Sequence, residues 1–439
     1  MLGTAGFRKY FVNFSWLFVD RVLRFGLILG TTILVSRYLG AERIGQLNYA
    51  LAIVSIAAVL CSMGANEVIS RDLVRHPERR DELLGSGFAI NLAGGLLLNI
   101  GVLIMALLKD LDHLAVLLIA ITAAGELFKW STMMEFYFLS QVKGRVAAKV
   151  NIIGAIISSA YKVALVYFEA PLIWFAWSYM LEYVAYAACY AIAYRHSGLD
   201  ILKWRPKVRM IKYLLMQSWP MLVYGVALQA QLKIDQVMIF DILRSTLGEK
   251  AAHAEVGQYS VAVKMIEAMA FLPVILQLSL APAIAKAHVQ DKALYRERLT
   301  NQYRLMFLLY LTTSLPLYFI AEPLIVWLYG EEFRHAGHLL ALFAARLVFS
   351  YMGVAKSSFI VNEGLFKFSL AAAIVGASVN IGLNTVLIPT MGSDGAIWST
   401  LISFLMSVYI MDLFTARTRV NFRMLTLGVL TFWKIRSVR

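Results

Sequence analysis

Charge is what this chain has little of. Only 15% of its 439 residues are Asp, Glu, Lys or Arg, and 60% are hydrophobic. A soluble domain runs nearer one quarter charged and half apolar, so an ordinary soluble globule is excluded. Cysteine is scarce too. Cys61 and Cys189 both fall in apolar segments and imply no disulfide framework. No G-x-x-x-x-G-K-S/T run occurs, so no ATP site is expected. No Cys/His cluster has metal-ligand spacing. Of the seven His, only His335 and His338 stand at i and i+3, which is weak support for zinc. No metal or other cofactor is therefore expected. Sustained alternation at period two is missing, which excludes a membrane β-barrel. No long outer loop interrupts the chain, the largest running from Asp241 to Glu255.

What is present is a series of apolar segments of about 20 residues, each enough to cross a hydrocarbon core as helix. The mean hydropathy is +0.69. The pattern predicts an all-α polytopic membrane protein with about twelve spans. They lie at roughly 12–36, 47–69, 83–108, 114–140, 146–168, 171–194, 214–240, 256–285, 304–328, 336–361, 368–389 and 394–414. The first is read as an uncleaved span, because no clear small-residue cleavage site follows it. The net charge of +14 does not point to nucleic acid, because it follows alternate loops. With the N-terminus inside, Lys and Arg of the cytoplasmic segments outnumber those of the outer loops by roughly four to one. Both termini are therefore expected in the cytoplasm. The tail from Ala416 mixes bases with Phe422, Leu425, Phe432 and Trp433, and reads as an interfacial helix.

The basic loop Arg195 to Tyr213 divides six spans from six. The division predicts a bundle over 1–200, a second over 201–415, and a basic amphipathic tail over 416–439. A faint repeat supports it. Gly45-Gln46-Leu47-Asn48-Tyr49-Ala50 opens the second span, and Gly257-Gln258-Tyr259-Ser260-Val261-Ala262 opens the eighth. Six spans per half keep the two repeats in one orientation, as in parallel-repeat transporters with the substrate path between the halves.

The segment Arg37-Tyr38-Leu39-Gly40 through Gly45, Asn48, Tyr49 and Ala50 resembles the opening motif of bacterial polysaccharide flippases of the Wzx type. These belong to the multidrug/oligosaccharidyl-lipid/polysaccharide exporter superfamily. Ser70-Arg71-Asp72-Leu73, Asp235-Gln236-Val237-Met238-Ile239 and Gly257-Gln258-Tyr259-Ser260 resemble later family motifs. So do Asn380, Asn384, Pro389, Gly392, Gly395 and Ala396 near the last two spans. Asp241 and Arg244 depart from the pattern, standing where the family continues with a Gly-rich turn. The resemblance implies two six-helix bundles forming a V around a central cavity. It also implies transfer of an undecaprenyl-pyrophosphate-linked oligosaccharide between leaflets of the bacterial inner membrane. The transfer would proceed by ion-coupled alternating access, alongside a polysaccharide polymerase and other assembly proteins. The glycan could be a lipopolysaccharide O-antigen unit or a related repeat.

Charged residues inside spans are costly and read as functional by default. Arg suits a lipid pyrophosphate, since its guanidinium is a permanent two-pronged donor. Arg21 and Arg24, three apart, are the first choice for the headgroup, although Asp20 stands four from Arg24 and offers a local pair. Lys162 and Arg346 have no acid at helical spacing and extend the expected cationic cavity, as does Lys264. Asp20, Asp235 and Glu267 are the candidates for coupling or gating. For Asp235 the preferred reading is a structural partner for a base across the cleft, and the other is a proton or cation site. Lys264 and Glu267 could pair locally, and Glu126 with Lys129 reads as a plain ion pair. Lys356 reads as a snorkelling side chain. The sixth-span aromatics Trp174, Trp177, Tyr179, Tyr183, Tyr186 and Tyr190 read as packing. Pro220, Pro273, Pro282 and Pro316 are expected bending points. The rival readings are a cation-coupled drug exporter, a flippase for a lipid-linked peptidoglycan precursor, and a membrane polymerase or ligase. The drug exporter would want acids rather than bases in its cavity. The enzymes would carry a large outer loop.

Overall fold

The structure, a computed structural model, describes residues 4–434, with side chains from Ser15 onward apart from Leu17. The charges of Arg8, Lys9, Arg436 and Arg439 lie outside what is described. Among the described residues there is no strand. The chain divides by its contacts into Met1–Gln229 and Ala230–Arg439, with the boundary inside one long helix.

The first unit opens with α1 (Thr4–Ala57), followed by α2 (Val59–Ser62), α3 (Asn66–Arg75), α4 (Arg80–Leu108) and α5 (His113–Gly125). Then come α6 (Thr132–Ser140), α7 (Gly144–Tyr167), α8 (Leu172–His196) and the start of α9 (Val208–Leu247). The second unit takes the rest of α9 and α10 (Glu249–Met269), α11 (Phe271–Gln290), α12 (Lys292–Tyr329) and α13 (Arg334–Phe343). It ends with α14 (Arg346–Asn362), α15 (Phe366–Met391), α16 (Ser393–Phe404) and α17 (Ala416–Leu430). The expected segments fall mostly on helical backbone, with breaks inside them at residues 63–65 and 344–345. Among the described residues eight helical stretches are long and apolar enough to cross a membrane, or nine if α13 and α14, bent by 49°, form one span.

The motif residues make the turns. Gly40 interrupts α1 at φ 73°, a left-handed conformation open to glycine at little cost. Beside it Tyr38 donates its hydroxyl to the Ala170 carbonyl at 3.0 Å, and Asn48 donates to the Ile44 carbonyl at 2.8 Å. At the Met63–Gly64 break, Ser218 of α9 donates to the Met63 carbonyl at 2.9 Å. In α4 the small residues face inward: a Cβ on Gly94 would lie 2.3 Å from the Leu60 carbonyl oxygen. The opposite face exposes Leu96, Leu97, Ile100, Ile104 and Leu107. Lipid is as apolar as leucine, so close approach of small residues contributes more to such packing than burial of large ones. An apolar cluster including Ile69, Leu84, Met133, Phe138, Tyr194 and Trp204 closes one end of this unit.

In the second unit Pro282 and Pro316 lie inside α11 and α12, and Pro273 near the start of α11; Pro220 lies inside α9 in the first unit. Gly392 turns the chain at φ 60° between α15 and α16, and a Cβ on Gly395 would meet the Leu387 carbonyl oxygen at 2.3 Å. After α16 a π-helical turn, Leu405–Tyr409, and a 3-10 turn, Ile410–Leu413, lead to the tail.

The tail is anchored into this unit. Asp412 is fully buried and lies 2.7 Å from the Lys356 ammonium, which also donates to the Val408 carbonyl at 2.8 Å. Asn421 of α17 donates to Asp412 at 2.7 Å and accepts from Tyr303 of α12 at 2.6 Å. Gly428 packs against Tyr303 so closely that a Cβ would lie 2.5 Å from its side chain. Lys356 therefore does not snorkel, because its ammonium is satisfied at a buried carboxylate.

Candidate functional site

The charged interior of the first unit is closed by local and neighbouring partners. Arg24 makes a two-pronged contact with the buried Asp20, Nε to Oδ1 at 2.7 Å and a terminal nitrogen to Oδ2 at 2.9 Å. The i, i+4 spacing that allowed this pair also decides it. Arg21 is exposed and makes no ion pair with a described residue, so the structure does not bring it to a common point with Arg24. Lys162 finds its acid on the next helix, 3.5 Å from Glu182, and sits 4.6 Å from the centre of the Tyr179 ring. Lys129 lies 2.5 Å from Glu126 and 5.4 Å from the Tyr183 ring centre. Tyr186 donates to Glu182 at 3.2 Å, and Tyr190 to Asn151 at 2.9 Å. The tyrosines of α8, read from sequence as packing, thus each meet a charged or polar partner.

The charged interior of the second unit joins α9, α10 and α14. Lys233 and Asp235, two apart on α9, point apart as their spacing requires. Lys233 reaches Glu267 of α10 at 2.8 Å. Lys264, one turn before Glu267, and Arg346, at the start of α14, both act electrostatically on the same carboxylate. Three bases therefore act on the charge of one acid, with Lys233 at contact distance. The spacing of Lys264 and Glu267 allows a local pair, and Lys233 on α9 also reaches this carboxylate at hydrogen-bonding distance. Arg346 is buried, with its guanidinium 4.8 Å from the Phe404 ring centre and 5.7 Å from that of Phe343. Its Nε has no hydrogen-bond partner among the described residues. Cation–π contacts offset part of a guanidinium's desolvation and leave its donors available.

Beside this cluster lies a buried carboxylate with neutral donors. Asp235 Oδ2 accepts from the Tyr259 hydroxyl and from the Thr400 hydroxyl, each at 2.5 Å. Its Oδ1 accepts from Asn384 at 2.7 Å, and Asn384 also donates to Asn380 at 3.4 Å. Asp235, Asn380, Asn384 and Thr400 are each 1% exposed or less. The expected base is absent from this ring of contacts. The charge of Arg346 acts on the Tyr259 hydroxyl, which donates to Asp235. The sequence reading missed Lys233, Tyr259 and Thr400 as site residues. It quoted Asn380 and Asn384 without a role, although their i, i+4 spacing in an apolar span was the available signal.

His335 and His338 each face an acid, Glu255 at 3.8 Å and Asp394 at 3.6 Å. No group of three or more His, Cys, Asp or Glu among the described residues is arranged to hold a metal.

Fold and interior together define a multi-pass membrane protein that is helical, without strands, over the described residues. A family profile described as "Polysaccharide biosynthesis protein" matches residues 11–288, more than half of the chain, and the chain belongs to that family. It is similar to the uncharacterized membrane protein YabM of Bacillus subtilis (strain 168), at 25% identity over 197 residues. That match covers 44% of this chain and 36% of YabM, so the chain matches only about a third of that relative's length. Among solved structures, the lipid II flippase MurJ in an inward closed conformation superposes with a TM-score of 0.70 at 14% identity. It covers 96% of this chain and 92% of that one. An inward-facing multidrug resistance MATE family transporter of the MOP superfamily gives 0.68 at 15% identity, over 94% and 99%. A MOP superfamily transporter from Pyrococcus furiosus gives 0.60 at 14%, over 95% and 94%. These likenesses establish the fold.

Proposed function

We propose that this protein is a flippase for a lipid-linked oligosaccharide. It carries an undecaprenyl-pyrophosphate-linked repeat unit from the cytoplasmic to the outer leaflet of a bacterial inner membrane. Two six-helix halves alternate in access, and an ion gradient drives the cycle. The observation that carries this reading is the cluster of Lys233, Lys264 and Arg346 acting on the single carboxylate of Glu267, in a member of a polysaccharide biosynthesis family. A pyrophosphate is a compact anion, and bases that outnumber their acids on a wall open to water suit it. We assign the headgroup to this cluster rather than to Arg21 and Arg24, because Asp20 already neutralises Arg24. Asp235, held by neutral donors, is assigned to coupling: it can take up a proton or a cation, with Arg346 beside Tyr259 linking it to the anion site.

The test uses the full chain in liposomes with a fluorescent undecaprenyl-pyrophosphate oligosaccharide in one leaflet and an imposed ion gradient. Wild type is expected to move the lipid. Lys264→Gln with Arg346→Gln is expected to lose most of that transfer, and Arg21→Gln to keep it. Transfer of cationic drugs in place of the oligosaccharide would overturn the reading in favour of a drug exporter.

A further inference from the structure

A second cationic site lies at the other end of the same unit, away from the cluster around Glu267. The start of α12, the end of α14 and the start of α17 enclose a cavity of about 480 Å³. Its walls carry Lys292 and Arg296 from α12, Arg417 from α17 and His288 from the end of α11, against one acid, Glu363. Glu363 lies 3.6 Å from His288 Nδ1. Lys292, Arg296 and Arg417 are exposed and have no ion pair with any described residue. At the base of the cavity is Tyr295, only 4% exposed, its ring 4.7 Å from that of His288. Its hydroxyl is buried without a hydrogen bond of good geometry.

Three bases without an ion pair around a concavity concentrate positive potential, and the buried Tyr295 hydroxyl, near Glu363 and Asn362, has donor capacity to spare. Both features are relieved by one ligand chemistry, a phosphate group, which offers acceptors to the hydroxyl and negative charge to the bases. The source of that phosphate is indicated by a second cavity on the same two helices. It measures about 220 Å³ and is lined by apolar side chains, among them Val348 and Met352 of α14 and Val429 and Leu430 of α17. Along α14, Met352 stands about 16 Å from Glu363 at 1.5 Å rise per residue. A polar cavity and an apolar one at that separation match the head and chain of a membrane lipid. The loop before α12 and the tail are also the segments whose basic composition assigns them to the cytoplasmic side. We infer that this end of the second unit binds an anionic phospholipid, with its phosphate among Lys292, Arg296, Arg417 and Tyr295 and an acyl chain toward the apolar cavity. This site is separate from the transport path and does not depend on the identity of the transported substrate.

The experiment is lipid retention by the purified full chain, followed by native mass spectrometry during titration with phosphatidylglycerol, phosphatidylcholine or soluble pyrophosphate. Phosphatidylglycerol is expected to bind preferentially. Arg296→Gln with Arg417→Gln is expected to weaken it roughly tenfold or more. Lys286→Gln with Lys367→Gln, exposed bases outside the cavity, is expected to change it less than about twofold. Thermal melting of each variant in detergent verifies that the fold is kept. Equal retention of phosphatidylcholine, unchanged binding by the cavity variant, or binding of soluble pyrophosphate in place of lipid would each overturn the inference.

Discussion

Asp235 and Asn384 meet in the middle of the second unit, Oδ1 accepting from the side-chain amide at 2.7 Å between α9 and α15. With Tyr259 and Thr400 on the other oxygen, the carboxylate is held by neutral donors alone. A carboxylate buried without a counter-charge is expensive in a span, and hydrogen bonds to neutral groups recover only part of that cost. That cost is the ground for the coupling role proposed for Asp235.

Asp235→Asn keeps the size and most of the hydrogen bonds while removing the charge. The expected result is gradient-driven transfer at least about tenfold slower, with the residual rate insensitive to the gradient. Rates measured in liposomes with and without the gradient check this. A variant that keeps both rate and gradient dependence would remove Asp235 from coupling.

Charge-assisted contacts to a phosphate are each worth about 1.5–3 kcal/mol, or roughly ten- to a hundredfold in affinity. Lys264→Gln and Arg346→Gln are each expected to weaken binding of the lipid pyrophosphate within that range. Arg21→Gln should leave it unchanged within about twofold, because Arg21 stands outside the cluster. Equilibrium binding in detergent distinguishes these outcomes.

The pairings explain what the sequence could and could not disclose. Asp20 with Arg24 and Glu126 with Lys129 lie within one helix, where i, i+3 and i, i+4 spacing announces them. Lys162 with Glu182, Lys233 with Glu267 and Lys356 with Asp412 each join two elements. Nothing along the chain signals such a pair, since it depends on which helices become neighbours and at what rotation. Glu267 illustrates the difficulty: spacing announces the local candidate Lys264 but not Lys233 from α9, which also reaches the carboxylate. The apolar segments themselves were legible, because about 20 residues with few charges have one physical use. The tail was harder, because its bases suggested a surface while Asn421 and Gly428 supply the packed face.

The buried pair of Lys356 and Asp412 yields a stability test. Removing one partner of a buried ion pair costs about 3–5 kcal/mol, while replacing both with apolar residues is often close to neutral. Lys356→Met alone is expected to lower the detergent melting temperature clearly. Adding Asp412→Leu should recover part of the loss, with the remainder set by the stranded Asn421. Equal melting of the single variant and wild type would mean that the pair contributes nothing.

Two glycines give a matched comparison. Gly395→Ala places a methyl 2.3 Å from the Leu387 carbonyl oxygen, a backbone atom that cannot move aside alone. A loss of about 1–3 kcal/mol is expected. Gly101→Ala, in α4 with nothing within 4 Å of the added atom, should be neutral or stabilising by up to about 1 kcal/mol. Chemical denaturation of both variants in parallel checks the ordering.

The anchoring of α17 also orders the protein's assembly in time. Tyr303 stays without Asn421 until the ribosome has added a further 118 residues, whereas the contacts within the first unit are available once Gln229 has emerged. The first unit can pack while translation continues, but the second must wait with the Asp412 carboxylate uncovered until α17 arrives. A nascent chain stalled just short of Asn421 would therefore be the form most exposed to quality-control proteases.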